Sequence, residues 1–515
     1  MPTYLSPGVF IEEVPAGVQA IEGVGTSTGA FVGLAERGDT DTAKLITNYT
    51  QFVNEFGRFL PNSYLAYSVF SFFAEGGTRC YVVRVAGTGA TAASATENEV
   101  GDGDPLLQID ASSVGAWGNR VEYAISDAGN GDADYFKLTV RYQELHPDEF
   151  PSNPDSVYVI EEFDNLNGDT MVSVVNGAAA FVRLTYIADP TDEAGRTLNN
   201  KRPGNTPANT WEALTLGSDG TTAPDYIGNE ADRSGIFAFD PIDDINIVAI
   251  PDLEGDRNST LAALNYCENR GDCFFIVDPP LGITPLEAKD YKQGTGTYSG
   301  QAFNSTYGAM YYPWVAVNDP LTGQTRMVPP SGVVAGTYSN TDSVRGVFKA
   351  PAGIADGFLN SVVDIEQLIT KGEQDVLNPL GVNVIRKFPD SGIVIWGART
   401  LSNIAEWRYV SVRRLMLFLE ESIDQGTQFV VFEPNDPVLW GNVKRTLTAF
   451  LTRVWRDGAL FGATPEEAFF VKVDGENNPP EVRDAGQLIV EVGVAPVKPA
   501  EFVIIRISQQ TQAGA

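Results

Sequence analysis

The chain has 515 residues, 43% hydrophobic, 10% aromatic and 20% charged, which is globular material and excludes a disordered chain. Its 35 basic and 67 acidic residues leave a formal charge of −32, which argues against nucleic acid or an anionic membrane surface as partner, since both are bound through Lys and Arg. At roughly 150 residues per domain the length predicts two to four domains.

Apolar runs such as Val69-Phe70-Ser71-Phe72-Phe73-Ala74 and Phe502-Val503-Ile504-Ile505 are far too short to cross a bilayer. The opening Met1-Pro2-Thr3-Tyr4-Leu5-Ser6-Pro7 has neither a basic nor an apolar leader segment, so no secretory signal is expected. Cys80, Cys267 and Cys273 are odd in number and lack metal-ligand spacing. They read as buried thiols of a chain made in a reducing cytoplasm.

Residues 1–24 read as an arm. Pro2, Pro7 and Pro15 bracket the run Val9-Phe10-Ile11-Glu12-Glu13-Val14, which suits an extended edge strand and argues against a helix. Residues 25–90 carry an α/β pattern: a buried strand at Gly29-Ala30-Phe31-Val32-Gly33-Leu34, a short helix presenting Phe52 and Phe56, a more apolar helix over 64–74 and a strand over 80–85. Across 91–235, short alternating stretches at 121–125, 136–141, 157–161 and 181–187 sit among Gly, Asp, Asn and Pro, predicting an antiparallel β-domain. Residues 91–240 hold 26 acidic and 8 basic residues, more than half of the acidic surplus, so this domain should face water.

Residues 236–380 resume the α/β pattern, with a strand over 245–252, a helix over 259–269 and a strand over 273–278, lengths that suit a right-handed parallel crossover. A further strand is expected over 309–317. Asp252 and Asp278 end two of these strands, where α/β sites lie, although strand-ending and turn-capping roles fit them as well. In 381–500 two helices are expected, over 402–424 and 435–456. Asn435-Asp436-Pro437 opens the second, and Leu439, Val443, Leu447, Phe450, Leu451 and Val454 line one face of it. Residues 381–460 hold 10 basic against 8 acidic residues in an otherwise acidic chain. Arg408, Arg413, Arg414, Lys444, Arg445, Arg453 and Arg456 are either solvated helix faces or a contact surface for an acidic partner. A strand over 488–494 precedes the terminal segment 501–515. There, Glu501-Phe502-Val503-Ile504-Ile505-Arg506-Ile507 is apolar on both faces and must complete its own sheet or a neighbour's.

Catalytic chemistry finds little support. His146 is the only histidine and lies in the turn-like Leu145-His146-Pro147-Asp148-Glu149, so a Ser-His-Asp or Cys-His enzyme would have to be built around it. No nucleophile elbow, P-loop or dinucleotide fingerprint is present, and Gly294-Thr295-Gly296-Thr297-Tyr298-Ser299-Gly300 reads as a plain loop. The clusters Gly101-Asp102-Gly103-Asp104 and Asn130-Gly131-Asp132-Ala133-Asp134 lack calcium-loop spacing and read as solvated turns. No cofactor, metal or catalytic residue is expected.

Several blocks resemble the contractile tail sheath proteins. They are Tyr4-Leu5-Ser6-Pro7-Gly8-Val9-Phe10-Ile11-Glu12-Glu13-Val14, Thr28-Gly29-Ala30-Phe31-Val32-Gly33, Gly76-Gly77-Thr78-Arg79-Cys80-Tyr81-Val82-Val83-Arg84-Val85 and Pro329-Pro330-Ser331-Gly332-Val333-Val334-Ala335-Gly336. Gly381-Val382-Asn383-Val384-Ile385-Arg386, Val394-Ile395-Trp396-Gly397-Ala398-Arg399-Thr400-Leu401 and Trp407-Arg408-Tyr409-Val410-Ser411-Val412-Arg413-Arg414 look like the sheath C-terminal domain. The likeness spans about 1–90 and 240–510 and leaves out the acidic insertion.

The resemblance implies a mixed α/β and α+β multidomain chain: a subtilisin-like α/β core from 25–90 and 236–380, an outward β-rich insertion at 91–235, a C-terminal sheath domain at 381–500 and extended terminal arms. It implies a structural subunit that stacks in rings or a multi-start helix around an inner tube, with baseplate and cap proteins as further partners, and contracts to drive the tube through an envelope. By the same resemblance Val9, Phe10, Ile11, Val14, Phe502, Val503, Ile504, Ile505 and Ile507 exchange strands with neighbouring subunits. The seven basic residues 408–456 named above would meet the tube, and Ser331 is not a nucleophile despite the core's likeness. Phage tail and headless injection system stay open, both assembled in a host cytoplasm. A subtilisin-like hydrolase and a secreted adhesin or surface-layer subunit are the competing readings.

Overall fold

The computed structural model describes residues 21–100, 105–144, 158–187, 201–502 and 504–506. The strand expected over 9–14, His146, Val503 and Ile507 lie outside them. The chain divides into two compact units. One is Gly25–Arg414, and the other joins the residues before Gly25 to those after Arg414.

The larger unit starts with strands β1 (Gly29–Leu34) and β2 (Lys44–Ile46), helices α1 (Tyr49–Phe56) and α2 (Leu65–Ala74), and β3 (Cys80–Val85). Asn48 caps α1 by accepting from the Gln51 amide, and Phe52 and Phe56 are its buried face. The insertion contributes β4 (Ser94–Asn98), β5 (Pro105–Ala111), β6 (Val121–Asp127), β7 (Phe136–Gln143), β8 (Tyr158–Leu166), α3 (Met171–Ala178), β9 (Val182–Tyr186) and β10 (Glu212–Ala213). After it come β11 (Ile247–Ala249), α4 (Arg257–Arg270), β12 (Phe274–Val277), α5 (Pro285–Gln293), β13 (Gly308–Tyr312), β14 (Val315–Asn318), β15 (Thr325–Val328) and α6 (Ser331–Arg345). Then follow α7 (Gly353–Asp356), β16 (Asp364–Ile365), α8 (Lys371–Leu377), β17 (Val382–Phe388) and β18 (Gly392–Ile395).

Eight strands form one sheet in the order β18-β17-β13-β12-β11-β1-β3-β2. The six inner strands run parallel, and β2 and β18 close the edges antiparallel. Parallel strands need crossovers on the sheet faces, which bury both sides of each strand and account for their uninterrupted apolar composition. Two crossover helices are fixed at their N-termini: Asp256 caps α4, and Thr284 and Glu287 form a reciprocal capping box on α5. The Pro329–Gly336 block has a packing reason. Helices α2 and α6 approach so closely that a Cβ on Gly332 would lie 2.5 Å from Ser68 Cα, and one on Gly336 2.6 Å from Phe72 O.

The insertion stacks two antiparallel sheets, β10-β6-β7-β8 and β4-β5-β9, around its own core. Strand β7 alternates buried and half-exposed residues along its whole length, the period of a one-sided sheet. Strands expected at 121–125, 136–141, 157–161 and 181–187 are present with extended or shifted ends. Strands β4 and β5 and helix α3 were not expected. The insertion is bound to the core by buried polar groups. The Arg84 guanidinium, 2% exposed, donates to Ala35 O (3.0 Å), Gly38 O (2.8 Å) and Val114 O (2.9 Å). Glu36 accepts from Arg120 Nη2 (2.5 Å), Tyr142 OH (2.6 Å) and the Arg58 amide (3.0 Å).

Three expectations require correction, one being the single strand over 309–317, which is two strands, β13 and β14, in different sheets. Residues 382–395, placed at the start of the C-terminal domain, are β17 and β18 of the eight-stranded sheet. The helix expected from 402 begins at Val410 as α9 (Val410–Thr427), because Thr400 Oγ1 donates to Trp407 O and the Arg399–Tyr409 bridge keeps the preceding residues irregular. The unit boundary falls inside α9.

The smaller unit contains the rest of α9, α10 (Pro437–Arg456), α11 (Pro465–Ala468), β19 (Phe469–Lys472), α12 (Pro480–Asp484) and β20 (Glu491–Val494). Asp436 caps α10 by accepting from the Val438 and Leu439 amides, both at 2.9 Å, and the six apolar residues expected on its inner face are buried. Residues 21–24 lie against these helices: Ile21 is buried, and the Val24 amide donates to Ser422 Oγ at 3.1 Å.

Removing the Arg84 guanidinium should expose the cost of this joint. Arg84→Met leaves three acceptors unsatisfied, and we expect a loss of about 3 kcal/mol or more in urea unfolding of the full chain, against near-wild-type stability for an exposed control such as Lys371→Met.

Candidate interaction surfaces

The sheet edge where an α/β enzyme would hold its catalytic groups is closed. Asp252 accepts from the Leu34 amide (2.7 Å), Ser63 Oγ (2.9 Å) and the Tyr64 amide (2.5 Å), tying the end of β1 to the start of α2. Asp278 accepts from the Ser331 amide at 2.9 Å and so receives the first turn of α6. Ser331 itself is fully buried, and no histidine occurs among the described residues. A serine nucleophile needs access to substrate, and Ser331 has none in this arrangement. Burial pushes the Asp278 carboxyl up to about 7 against the opposing pull of Ser331, and burial likewise pushes Asp252 up to about 6.

The seven basic residues grouped by the sequence separate into two classes. Arg413 and Arg414 are buried and spent inside the larger unit, which removes them from any tube-facing surface. Arg413 Nη2 donates to Tyr307 OH at 2.7 Å, and its guanidinium lies over the Tyr307 and Trp407 rings. Arg414 makes a two-pronged pair with Asp342 (2.9 and 2.6 Å), donates to Thr26 O (2.8 Å) and covers the Tyr338 ring. Burial raises the Asp342 carboxyl above its usual range while Arg414 opposes this, the pattern of an ion pair removed from water. Arg408, Lys444, Arg445, Arg453 and Arg456 are exposed. Arg445 donates to Asn442 Oδ1, and Arg453 donates to Ile21 O.

The smaller unit also exposes apolar groups. Strands β19 and β20 pair antiparallel, and among the described residues neither outer edge has a third strand. Phe470 and Val492 are exposed on this ribbon. Beyond it, Phe502, Ile504 and Ile505 are 72%, 79% and 78% exposed and lie outside any strand. Val431, Phe432 and Val438, at the turn from α9 to α10, and Phe461 are exposed as well. No periodicity distinguishes these residues from core positions, and only their proximity to Pro434, Pro437 and Gly462 hinted at turns.

The buried carboxylates carry a pH prediction. Asp278 has its folded-state value raised from 3.8 to about 7, so it contributes full stability below the ordinary carboxylate range and loses it as pH rises through about 7. Asp278→Asn keeps an acceptor for the Ser331 amide and escapes that loss. It should be more stable than wild type at pH 8, by on the order of 3 kcal/mol, with the advantage vanishing near pH 4 in paired thermal melts. Identical melts at pH 8 would show that Asp278 ionises without penalty.

Comparison with known proteins places the chain in a family. Residues 219–401 match the phage tail sheath protein central domain, and 403–510 match the phage tail sheath C-terminal domain. The tail sheath protein of Vibrio phage KVP40 is 22% identical over 414 residues, covering 77% of this chain and 57% of the relative, so the chain spans little more than half of that protein's length. Among solved structures, the contracted PVC sheath complex of an extracellular contractile injection system superposes with a TM-score of 0.58 at 22% identity, covering 99% of both chains. The sheath tail protein of Listeria innocua gives 0.62 at 12% identity, covering 93% of this chain and 94% of that one. The structural matches establish a shared fold, and the two family models together take in more than half of the chain, which belongs to the contractile tail sheath protein family.

Proposed function

We propose that this chain is the structural subunit of a contractile sheath, polymerising around an inner tube and shortening to drive that tube through a target envelope. The observation that carries this reading is the smaller unit's open two-stranded ribbon, β19–β20, in the same chain as a terminal segment whose Phe502, Ile504 and Ile505 lie almost fully in water. An open edge offers main-chain donors and acceptors, and an exposed apolar strand-former supplies the complement, so the two satisfy each other between copies. Val9, Phe10, Ile11 and Val14, with Phe502, Val503, Ile504, Ile505 and Ile507, are assigned to this exchange. Pro15, Gly17, Pro496 and Pro499 flank the joints.

The tube contact is assigned to Arg408, Lys444, Arg445, Arg453 and Arg456. Exposed charge pairs are each worth little, about 1 kcal/mol or less, which suits a contact that must break when the sheath shortens. The acidic insertion is assigned to the outside, where its surplus charge stays solvated. The α/β core is taken as subtilisin-like in topology only, with its sheet-edge carboxylates acting as tethers. Assembly in a host cytoplasm, with a baseplate and a cap, completes the reading. The extended array is the trapped, higher-energy packing, so the sheath itself needs no nucleotide.

Negative-stain electron microscopy of the purified chain at two salt concentrations tests the reading. Hollow striated tubes are expected for the full chain, and a truncation ending at residue 500 should lose them while keeping its monomer melting temperature. A chain that stays monomeric, alone and with added tube subunit, would overturn it.

A further inference from the structure

Phe432 is 103% exposed and has a left-handed backbone, with φ of +69°. For a bulky residue this combination is an outlier. The conformation is sterically disfavoured, and the ring gains no burial that would offset it. The surrounding turn enforces it: a 3-10 turn over Gln428–Val430 ends α9, and the Asp436 cap starts α10. Val431, the preceding residue, and Val438, in the first turn of α10, are also exposed.

Val438 and Arg445 lie seven residues apart on α10, hence on one side of the helix, and Arg456 falls on that same side near its far end. The result is a line about 27 Å long with Val438 at its start, Arg445 between and Arg456 at its far end. Parallel, in-register pairing of two such lines would set arginine against arginine, which disfavours that arrangement. Charge complementarity instead calls for an acidic surface with an apolar recess at one end.

We propose that Phe432 is the anchor of the tube-facing surface, inserting with Val431 and Val438 into an apolar pocket on the tube subunit whose rim carries carboxylates for Arg445 and Arg456. This rests on the assignment of α10 to the tube. The arginines supply steering and salt dependence, whereas the ring supplies register and most of the residence time, as buried aromatic anchors do in protein interfaces. A left-handed backbone at the tip fixes the direction in which the ring projects and so lowers the ordering cost of binding.

The test is co-sedimentation of the full chain with polymerised tube subunit of its own particle across a salt series, with tube-free self-assembly scored in parallel. Phe432→Ala should weaken retention on the tube at least tenfold at every salt concentration without changing the salt slope. Phe432→Asn, which tolerates the left-handed backbone, should do the same, and both should self-assemble as wild type does. The double variant Arg445→Glu with Arg456→Glu should weaken retention most at low salt and flatten the slope. Wild-type retention for both Phe432 variants would overturn the anchor while leaving the tube assignment intact, provided the arginine variant still loses binding. Unchanged retention in all three variants would overturn both. Loss of tube-free assembly in the Phe432 variants would make the ring a contact between sheath copies and overturn the anchor.

Discussion

The buried pair of Arg414 with Asp342 is the constraint on which the larger unit's organisation depends. The chain leaves that unit twice, after Arg414 and before Gly25, and Arg414 touches both departures, since its guanidinium holds Asp342 of α6 and Thr26 O together. Side-chain exposure of the pair is 3% and 2%, so solvent does not screen it. Removing one partner of such a pair typically costs about 3 to 5 kcal/mol, because the other charge is left without compensation. An exposed arginine contact is worth a fraction of that.

The same contrast separates what the residue pattern reveals from what it conceals. The inner strands of the large sheet were legible because burial on both faces makes Gly29–Leu34, Cys80–Val85 and Phe274–Val277 nearly continuous apolar runs. Helix α10 was legible because its cap, N1 proline and apolar face coincide. Arg413 and Arg414 were not, since two adjacent arginines at a helix start look like any solvated turn until their acceptors are known. Those acceptors, Tyr307 and Asp342, lie 106 and 72 residues away in sequence. Strands β17 and β18 went to the wrong domain for a related reason: β17 pairs with β13, a partner 72 residues distant across Met310 and Val382. Phe432 carried only the hint of a turn given by Pro434 and Pro437, because a phenylalanine is by default a buried residue.

Buried carboxylates add a second tension. Asp252 and Asp278 sit at the sheet edge where α/β enzymes keep reactive groups, and burial pushes both well above the usual carboxylate range. Perturbation of this kind is often read as a sign of catalysis. Here each carboxylate receives main-chain amides of a neighbouring helix or strand, and the serine beside Asp278 is sealed. Their perturbation is the electrostatic consequence of tethering helices to a covered sheet, and it burdens stability at neutral pH.

A sheath must join parts that never separate to parts that let go, and the distribution of charge in this chain matches that demand. Arginines inside the subunit, Arg84, Arg413 and Arg414, are desolvated and multiply bonded. Those assigned to the tube stay in water, where salt screens them and each can be given up singly. The main-chain strand exchange proposed for the termini would occupy the middle ground, since a strand is held by many modest bonds that do not depend on ionic strength. If a tube-facing surface carried only charges, its grip would fade with salt and its register would be loose. An exposed aromatic ring beside the charges corrects both faults at the expense of one strained residue.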